Sequence, residues 1–440
     1  MIVDQLATGL HGGAAIAARR LHELLCAVGV ASRFWYSHRV RMDPPDSSYQ
    51  ALRWDRHSRN PFAVACTKLV GRVRRCRYKA ELRRALRGRP PGLEIFTHAR
   101  TGWLTPFDPH QLSGDILHLH WVAGLIDYPS FFASIPDDHP IVWTLHDMNP
   151  FTGGCHYSSG CRSFTTVCKR CPQLGVHEDR DLANRCFHLK HRAVRGKNLH
   201  IAAPSQWLCD AAQRSRILSD ARSFHRIPYG LDTERLAPQD KRRARFELGL
   251  PPDCVIVGFG ADRLDCIRKG GCQLVMALKR LPRSPSILCI TFGGGNLPSD
   301  DELPMIKSLG YMHDLGRLAL AYSAMDLFVM PSLEDNLPQT GLEAMACGTP
   351  VVAFRTGGVP EYVRPFETGL LATVGDAAEL SACIEWLVTR PEQMHRMGQE
   401  ARRMIEREYS LHRQADAYVE LYRCLLEERR AGVERSLSAA

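Results

Sequence analysis

The stretch PSLEDNLPQTGLEAMACGTPVVAF, residues 331–354, decides the fold of this chain. The run Leu327–Met330 before it is short, apolar and contains β-branched and aromatic residues, which predicts a buried parallel strand. A polar loop with two carboxylates follows and leads into a short helix, which Gly348 and Pro350 end. Val351–Phe354 is the next buried strand. The stretch is therefore a strand–loop–helix–strand unit of an α/β sheet.

The acidic side chains of this loop predict the kind of ligand. Ligands of open α/β sheets bind at the carboxyl ends of the strands, where helix N-termini offer amide donors. A ligand with sugar hydroxyls and a diphosphate suits such a loop, because carboxylates accept from hydroxyls and amides take the phosphates. The alternative is that these carboxylates are solvated loop residues.

The same stretch resembles the acidic signature of retaining, nucleotide-sugar-dependent glycosyltransferases of the GT-B group, family 4, in which two Glu are separated by seven residues. Anchored on Pro331-Ser332 and Glu343-Ala344, the first acidic position falls on Asp335, one methylene shorter than Glu. The resemblance implies that Glu343 holds the ribose hydroxyls of the donor. It also implies that the donor sugar is held by Asp335 and by the backbone of Leu337, Pro338 and Gln339.

A second pair of candidates follows the predicted strand Cys254–Ala261. Two cations between a strand and a helix are suited to a departing diphosphate, which needs point charges and a helix N-terminus. The resemblance implies that Arg263 and Lys269 bind the diphosphate, and the spacing allows Arg268 to replace Arg263. The alternative is that they are solvated loop residues.

The N-terminal half carries the remaining candidates at strand ends. A glycine turn at Gly12-Gly13 joins a strand to a helix and would let the backbone approach a ligand. His146 ends a predicted strand over residues 140–147, whereas His118 and His120 alternate with leucines and fit packing roles. The resemblance implies that Gly12, Gly13 and His146 face the reacting sugar, although a lone strand-end His is more often structural.

Four cysteines in an insertion at residues 150–175 form the pattern C-x5-C-x6-C-x2-C: Cys155, Cys161, Cys168 and Cys171. The insertion is too poor in apolar residues to form its own core, and four thiolates can hold it around Zn²⁺. The alternatives are free or disulfide-forming cysteines. Similar patterns occur in exopolysaccharide or colanic-acid-type members of the resembled family. No metal or other cofactor is expected to take part in catalysis.

The formal net charge of +10 is concentrated in Lys68–Arg89, whose basic side chains are opposed only by Glu81. Apolar residues recur at helical spacing in this segment, so it is predicted to be a basic amphipathic helix. One interpretation is attachment to an anionic membrane surface, where each basic residue adds about 1 kcal/mol. A solvated basic face is the alternative. Nucleic acid is not expected, because no nucleic-acid-binding motif accompanies the charge.

Length and alternation of elements give the expected architecture. The 440 residues predict an α/β chain with two doubly wound Rossmann-like domains, and the GT-B resemblance implies a cleft between them. We expect an acceptor-side domain at 1–235, a nucleotide-sugar domain at 250–410 and a helix at 411–440 that crosses back to the first domain. Residues 40–60 are expected to be loop.

The expected function is retaining transfer of a sugar from a nucleoside diphosphate sugar to a hydroxyl acceptor, in cell-surface or exopolysaccharide synthesis with a lipid-linked acceptor. Two alternatives stay open: a nucleotide-sugar epimerase of the same fold and a non-catalytic sugar-nucleotide-binding protein. No apolar run approaches the ~20 residues of a membrane span. Because no secretory signal is visible either, we expect a cytoplasmic protein, peripheral on the inner face of the membrane.

Overall fold

The structure is a computed structural model that describes residues 1–37, 45–52, 61–101, 111–282, 285–298 and 305–438. Side chains are described except at residues 61–68, 70, 71 and 432–438. The chain divides into two compact units. The first comprises residues 1–227 and 415–440, and the second comprises residues 228–414.

The first unit alternates strands with helices along the chain. Its elements are β1 (Ile2–Ala7), α1 (Gly13–Ala27), β2 (Ala31–Ser37), β3 (Tyr49–Leu52), α2 (Pro61–Leu86), β4 (Ile116–Leu119), α3 (Tyr128–Ala133), β5 (Ile141–Thr144), α4 (Leu182–Val194), β6 (Leu199–Ala203), α5 (Gln206–Gln213) and β7 (Ser223–Arg226).

These seven strands form one parallel sheet in the order β3-β2-β1-β4-β5-β6-β7. The chain order reverses between β1 and β4, and ligands of such sheets bind at this kind of switch point. The residues of β4 and β5 are all buried, as expected for central strands of a parallel sheet covered on both faces.

The second unit continues the alternation. Its elements are α6 (Lys241–Glu247), β8 (Val255–Arg263), α7 (Gly271–Leu278), β9 (Ile287–Gly294), β10 (Met305–Ser308), α8 (Leu315–Ala324), β11 (Leu327–Met330), α9 (Gln339–Ala346), β12 (Val351–Phe354), β13 (Gly369–Ala372), α10 (Ala377–Val388) and α11 (Pro391–Glu408). The last helix, α12 (Leu411–Ser438), begins in this unit, and its residues from 415 onward belong to the first.

The second sheet is also parallel, in the order β10-β9-β8-β11-β12-β13, with its reversal between β8 and β11. The predicted fold class, two doubly wound α/β sheets, is confirmed. Hydrophobic side chains of β8, β11 and β12 form a buried core with α7 and α10. This packing fixes the strand ends that carry the candidate residues.

One local prediction differs from the structure. Within the expected loop 40–60, the described part contains the edge strand β3, because the buried Tyr49 packs on the ring of Phe34. After the basic helix, Phe96 makes an isolated bridge with Cys155, and Ile95 is 53% exposed. Among the described helices, none is both long enough and apolar enough to cross a bilayer.

Candidate functional site

The acidic loop after β11 holds a buried carboxylate, Asp335, which is 4% exposed. Its Oδ2 lies 2.6 Å from Lys269 Nζ and 3.1 Å from Arg268 Nη1. Ser332 Oγ donates to the same oxygen at 3.3 Å, and the backbone N–H of Asn336 donates to Oδ1 at 3.1 Å. Burial raises the pKa of Asp335, but Lys269 and Arg268 outweigh it and lower the pKa to about 2. Asp335 is therefore ionised at neutral pH.

The loop after β8 brings the two cations to this carboxylate. Arg268 and Lys269 lie in a 3₁₀ turn, Ile267–Lys269, that ends at Gly270. The backbone of the turn bonds to the acidic loop, because Leu333 N–H donates to the carbonyl of Arg268 at 2.8 Å. Gly270 has φ of 74°, and a Cβ there would lie 1.8 Å from the carbonyl oxygen of Pro331. Only glycine permits so close an approach of the two loops.

A second glycine, in the turn after β12, packs closely against the other side of the acidic loop. Gly357 has φ of 52°, and a Cβ there would lie 1.6 Å from the carbonyl oxygen of Asp335. The next amide, Gly358 N–H, donates to the carbonyl of Asn336 at 2.8 Å. Thr356 Oγ1 also donates to the carbonyl of Leu333 at 3.0 Å. The turn after β12 thus fixes the backbone that carries Asp335.

Arg263, at the end of β8, lies elsewhere. Its side chain is 67% exposed and pairs with Asp265, with Nη2 2.5 Å from Oδ2. Nε also donates to Oδ1 of Asp265 at 3.0 Å. Of the basic residues proposed from the sequence, Lys269 and Arg268 therefore meet at Asp335, whereas Arg263 is held by its neighbour.

Glu343 is the second acidic residue of the signature and lies within α9. It is 6% exposed, and its Oε2 accepts a hydrogen bond from Tyr322 OH at 3.1 Å. The helix begins after Pro338, and no side chain caps its N-terminus. Leu337 and Pro338 are buried and Gln339 is partly buried at this end. Asp335 thus lies in the loop before α9, and Glu343 lies within α9.

In the first unit, His146 follows β5 and is 9% exposed. Its Nε2 lies 3.2 Å from Nδ1 of His120, and His120 Nε2 lies 2.8 Å from Gln5 Oε1. Burial lowers the pKa of His146 to about 4, so the ring is neutral at neutral pH. The imidazole can therefore exchange hydrogen bonds with a hydroxyl but carries no positive charge toward a phosphate.

The remaining histidine of this strand end is part of the core. His118 Nδ1 lies 2.6 Å from Tyr422 OH, and its Nε2 lies 2.7 Å from Thr144 Oγ1. Thr144 Oγ1 in turn lies 2.6 Å from Tyr418 OH. Because both tyrosines belong to α12, these hydrogen bonds link α12 to the first sheet.

The glycine turn stands at the carboxyl end of β1. Gly12 has φ of 85° and precedes α1, and a Cβ at this position would meet nothing within 4 Å. Gly13 is the first residue of α1. The turn follows β1, at the switch point of the first sheet, and its predicted contact with a donor stays a prediction.

Comparison with known proteins gives the context for this geometry. Residues 263–404 match the family of glycosyl transferases group 1. A D-inositol 3-phosphate glycosyltransferase of Rhodococcus erythropolis is 32% identical over 208 residues, 44% of this chain and 47% of that protein. The chain thus spans about half the length of the curated relatives it matches.

Solved structures match nearly the whole chain. Sucrose-phosphate synthase from Thermosynechococcus elongatus superimposes with a TM-score of 0.68, at 19% identity, over 97% of this chain and 99% of that one. Anabaena HepE in complex with UDP-glucose superimposes with a TM-score of 0.60, at 16% identity, over 96% and 100%. The fold is GT-B. The resemblance to glycosyltransferases is confirmed for residues 263–404, which include the acidic stretch.

Lys269, Asp335 and Glu343 all lie within the part of this GT-B chain that matches the family, as do Arg263 and Arg268. Sequence reasoning missed Tyr322, which orients Glu343, and Ser332, which donates to Asp335. Ser332 lies within residues 331–354, so the sequence alone placed it next to the acidic loop. Tyr322 comes from α8, and no motif marked it.

The four clustered cysteines line one small cavity of about 20 Å³, together with apolar side chains such as Phe96 and Phe164. None of the four forms a disulfide. Burial raises the pKa of Cys155 to about 12, that of Cys171 to about 11, and that of Cys168 as well. Within the described residues, no group of three or more His, Cys, Asp or Glu is arranged to hold a metal ion. Zinc stays a prediction.

The basic helix is present as α2, and the side chain of Lys68 lies outside those described. Its apolar positions divide between two environments. Leu82 and Leu86 pack against the core of the first unit, whereas Leu69 is 63% and Val73 53% exposed.

Proposed function

We propose that this protein is a retaining glycosyltransferase of family 4 that moves a sugar from a nucleoside diphosphate sugar to a hydroxyl acceptor. One observation carries the proposal. The loops that follow β8 and β11 meet at the switch point of the second sheet, and they bring Lys269 to 2.6 Å from Asp335. Ligands of doubly wound sheets bind at this place.

Each residue of the site has a role that follows from its chemistry. Glu343, a buried carboxylate held by Tyr322, accepts hydrogen bonds from the ribose hydroxyls. Asp335 accepts from hydroxyls of the donor sugar. Lys269 and Arg268 supply positive charge for the diphosphate, whose negative charge grows as the sugar leaves. Because interactions that strengthen in the transition state accelerate the reaction, Lys269 contributes to turnover as well as to binding.

The first experiment is a binding measurement. HepE was solved with UDP and with UDP-glucose, so these two are the first ligands to test on this protein. Calorimetric titration of the wild type should give saturable binding of UDP. Glu343→Ala should abolish the binding, and Glu385→Ala, an exposed glutamate on α10, should leave it unchanged. Absence of binding by UDP and by the other nucleoside diphosphates would refute the proposed donor.

The stereochemistry is tested without an acceptor. Glycosyltransferases can transfer the donor sugar slowly to water, and proton NMR distinguishes the anomer that is released first. From UDP-α-glucose, the proposal predicts α-glucose as the first product, before mutarotation. First release of β-glucose would show an inverting enzyme. An unchanged nucleotide with a rearranged sugar would instead support the epimerase alternative.

We propose further that the acceptor is lipid-linked and that the protein reaches it at an anionic membrane surface through α2. The exposed part of α2 combines the apolar Leu69 and Val73 with the basic Arg72 and Arg75, and basic side chains are attracted to anionic headgroups. Vesicles of phosphatidylglycerol should sediment the wild type but not Arg72→Glu/Arg75→Glu. The matched control, Lys279→Glu/Arg280→Glu at two exposed positions directly after α7, should sediment like the wild type. Equal sedimentation of all three would refute attachment through α2.

A further inference from the structure

A cavity of about 400 Å³ lies in the first unit, lined by one face of α2 and by residues 98–101. The lining residues of α2 are three and four positions apart, so they share one side of the helix. They include Arg74, Arg77, Tyr78 and Glu81. Sites for small molecules usually have volumes of about 300–1,000 Å³. The cavity therefore has room for a ligand larger than a single ion.

The lining of this cavity is basic. Three arginines line it against one glutamate, which gives a net charge of +2: Arg74, Arg77, Arg100 and Glu81. Within the described part of the chain, neither Arg77 nor Arg100 forms an ion pair. The glutamate is already paired, because its Oε1 lies 3.0 Å from Nη2 of Arg185. The cavity thus carries positive charge that its own carboxylate does not balance.

The third arginine, Arg74, is held at the cavity by a carboxylate of α3. Its Nη2 lies 3.6 Å from Oδ2 of Asp127, an ionic contact that is too long for a hydrogen bond. The other oxygen of Asp127 caps α3 by accepting from the backbone N–H and the hydroxyl of Ser130. A guanidinium has five N–H donors, so Arg74 keeps donors for a ligand.

A buried histidine adds a neutral donor to the lining. His98 is 4% exposed, and its ring packs edge-on against Tyr78, with 5.5 Å between the ring centroids. Its Nδ1 accepts from the backbone N–H of Arg100 at 2.8 Å. Burial lowers the pKa of His98, so the ring is neutral at pH 7.5 and carries its proton on Nε2. That nitrogen faces Oε2 of Glu81 at 3.7 Å, beyond hydrogen-bond distance.

We propose that this cavity binds a phosphate group of the acceptor, through the guanidinium groups of Arg77 and Arg100 and the Nε2–H of His98. A phosphomonoester carries about −1.5 to −2 charges at neutral pH, which matches the net charge of the lining. Arginine also fits phosphate oxygens with two parallel hydrogen bonds. The assignment to the acceptor rests on the proposed function, in which the residues that hold the donor belong to the second unit.

Binding of two phosphomonoesters tests the site. Glucose 6-phosphate represents a soluble acceptor, and dihexanoylphosphatidic acid below its micelle concentration represents a lipid headgroup. Calorimetric titration, with UDP in excess to fill the proposed donor site, should give saturable binding of at least one of them. The compound that binds more tightly identifies the source of the phosphate. If neither compound binds, the proposal is overturned.

Substitutions locate the bound phosphate. Arg77→Gln and Arg100→Gln should each weaken binding by about 10- to 100-fold, because each removes a charge-assisted hydrogen bond. Both side chains are exposed, so the fold should persist. Arg83→Gln, an exposed arginine of α2 that does not line the cavity, is the control and should bind like the wild type. Equal affinity in the wild type and both cavity variants would overturn the site.

The histidine provides a local signal. In protein labelled with ¹⁵N-histidine, proton–nitrogen correlation spectra distinguish a protonated from an unprotonated ring nitrogen, and loss of the signal in His98→Gln assigns it. We expect protonated Nε2 and unprotonated Nδ1, and a shift of the Nε2 signal as the phosphate compound is added. A His98 signal that does not respond to a saturating ligand would overturn its placement in this cavity.

These measurements separate the two proposals. If UDP fails to bind while a phosphomonoester binds and shifts the His98 signal, the proposed donor fails and the anion site stands. If UDP binds and neither phosphomonoester does, the anion site fails and the proposed donor stands.

Discussion

Lys269 Nζ lies 2.6 Å from Asp335 Oδ2, on two loops that follow adjacent strands of the second sheet. Arg268 contacts the same oxygen at 3.1 Å, so two cations share one buried carboxylate. Asp335 therefore holds both cations in place before a ligand arrives. Its negative charge also offsets the repulsion between the two cations at the carboxyl edge of the sheet.

Substitution of Lys269 by Ala should lower turnover of UDP-glucose far more than it lowers stability. Loss of one preorganised group that stabilises transition-state charge costs about 10²–10³ in kcat. Arg268 still pairs with Asp335 in this variant, so the fold should persist. UDP release measures kcat, and circular dichroism measures the melting temperature. Lys279→Ala, a lysine exposed on the same unit, should turn over like the wild type. Near-normal turnover by Lys269→Ala would remove this residue from the mechanism.

Asp335→Asn should destabilise the second unit in a pH-dependent way. The folded pKa of Asp335 is about 2, below its usual value of 3.8, so the ionised carboxylate stabilises the fold fully above about pH 3.8. At 1.36 kcal/mol per pKa unit, the loss at pH 7 is about 2 kcal/mol. The contribution disappears as pH falls from about 3.8 toward 2. Calorimetry should show a lower melting temperature for the variant from pH 7 to pH 5 and a shrinking difference below pH 4. A constant difference would contradict the ionic origin.

The sequence predicted this fold from its most regular part. The strand–loop–helix–strand unit at residues 331–354 is present as predicted, because short apolar runs bounded by Gly and Pro leave few alternatives. The edge strand β3 was missed, since its burial comes from packing on α1 and β2 rather than from its own pattern. Local pattern predicts central strands well, and edge strands depend on their neighbours.

The site was predicted less completely, for a geometric reason. The pairing of β8 with β9 shifts register between Gly260 and Arg263. A bulge of this kind changes the direction in which later side chains point, and spacing alone does not reveal it. The sequence therefore left Arg263 and Arg268 as alternatives, and only Arg268 lies at Asp335 in the structure.

Tyr322→Phe should weaken binding of UDP while keeping the aromatic packing. The substitution removes the hydroxyl that donates to Glu343 Oε2 at 3.1 Å and leaves the ring against Phe292 and Phe328. Loss of one such hydrogen bond costs about 1–2 kcal/mol, a factor of 5–30 in Kd. Calorimetric titration measures the effect. In the background of Glu343→Gln the same change should matter less, and an equal loss in both backgrounds would show that Tyr322 does not act through Glu343.

Purified protein should contain about one zinc per chain. Cys155, Cys161, Cys168 and Cys171 line one cavity, and buried thiols without a cation have raised pKa values that a bound Zn²⁺ would lower. Binding requires the four sulfurs to close around the ion. Elemental analysis should find the zinc in the wild type and in the control Cys272→Ser/Cys424→Ser, two exposed cysteines elsewhere. It should be absent from Cys168→Ser/Cys171→Ser. A stably folded wild type without zinc would refute the site.

The first unit should lose stability in mild acid because it buries neutral histidines. Burial lowers the pKa of His118 to about 3 and the pKa values of His22, His146 and His200 to about 4. The unfolded chain binds these protons near pH 6.5, so the free energy of unfolding falls as pH drops from about 6.5 to 4.

Tryptophan fluorescence can follow this loss, since six of the seven tryptophans lie within residues 1–227. The urea midpoint should be clearly lower at pH 5 than at pH 7.5, because the free energy of unfolding falls by about 1–2 kcal/mol for each histidine. His200→Gln should reduce the pH dependence by the share of one histidine, because Gln can occupy the site without a proton to take up. His412→Gln, at an exposed position on α12, should leave it unchanged. Equal midpoints for the wild type at the two pH values would show that the folded protein takes up as many protons over this range as the unfolded chain does.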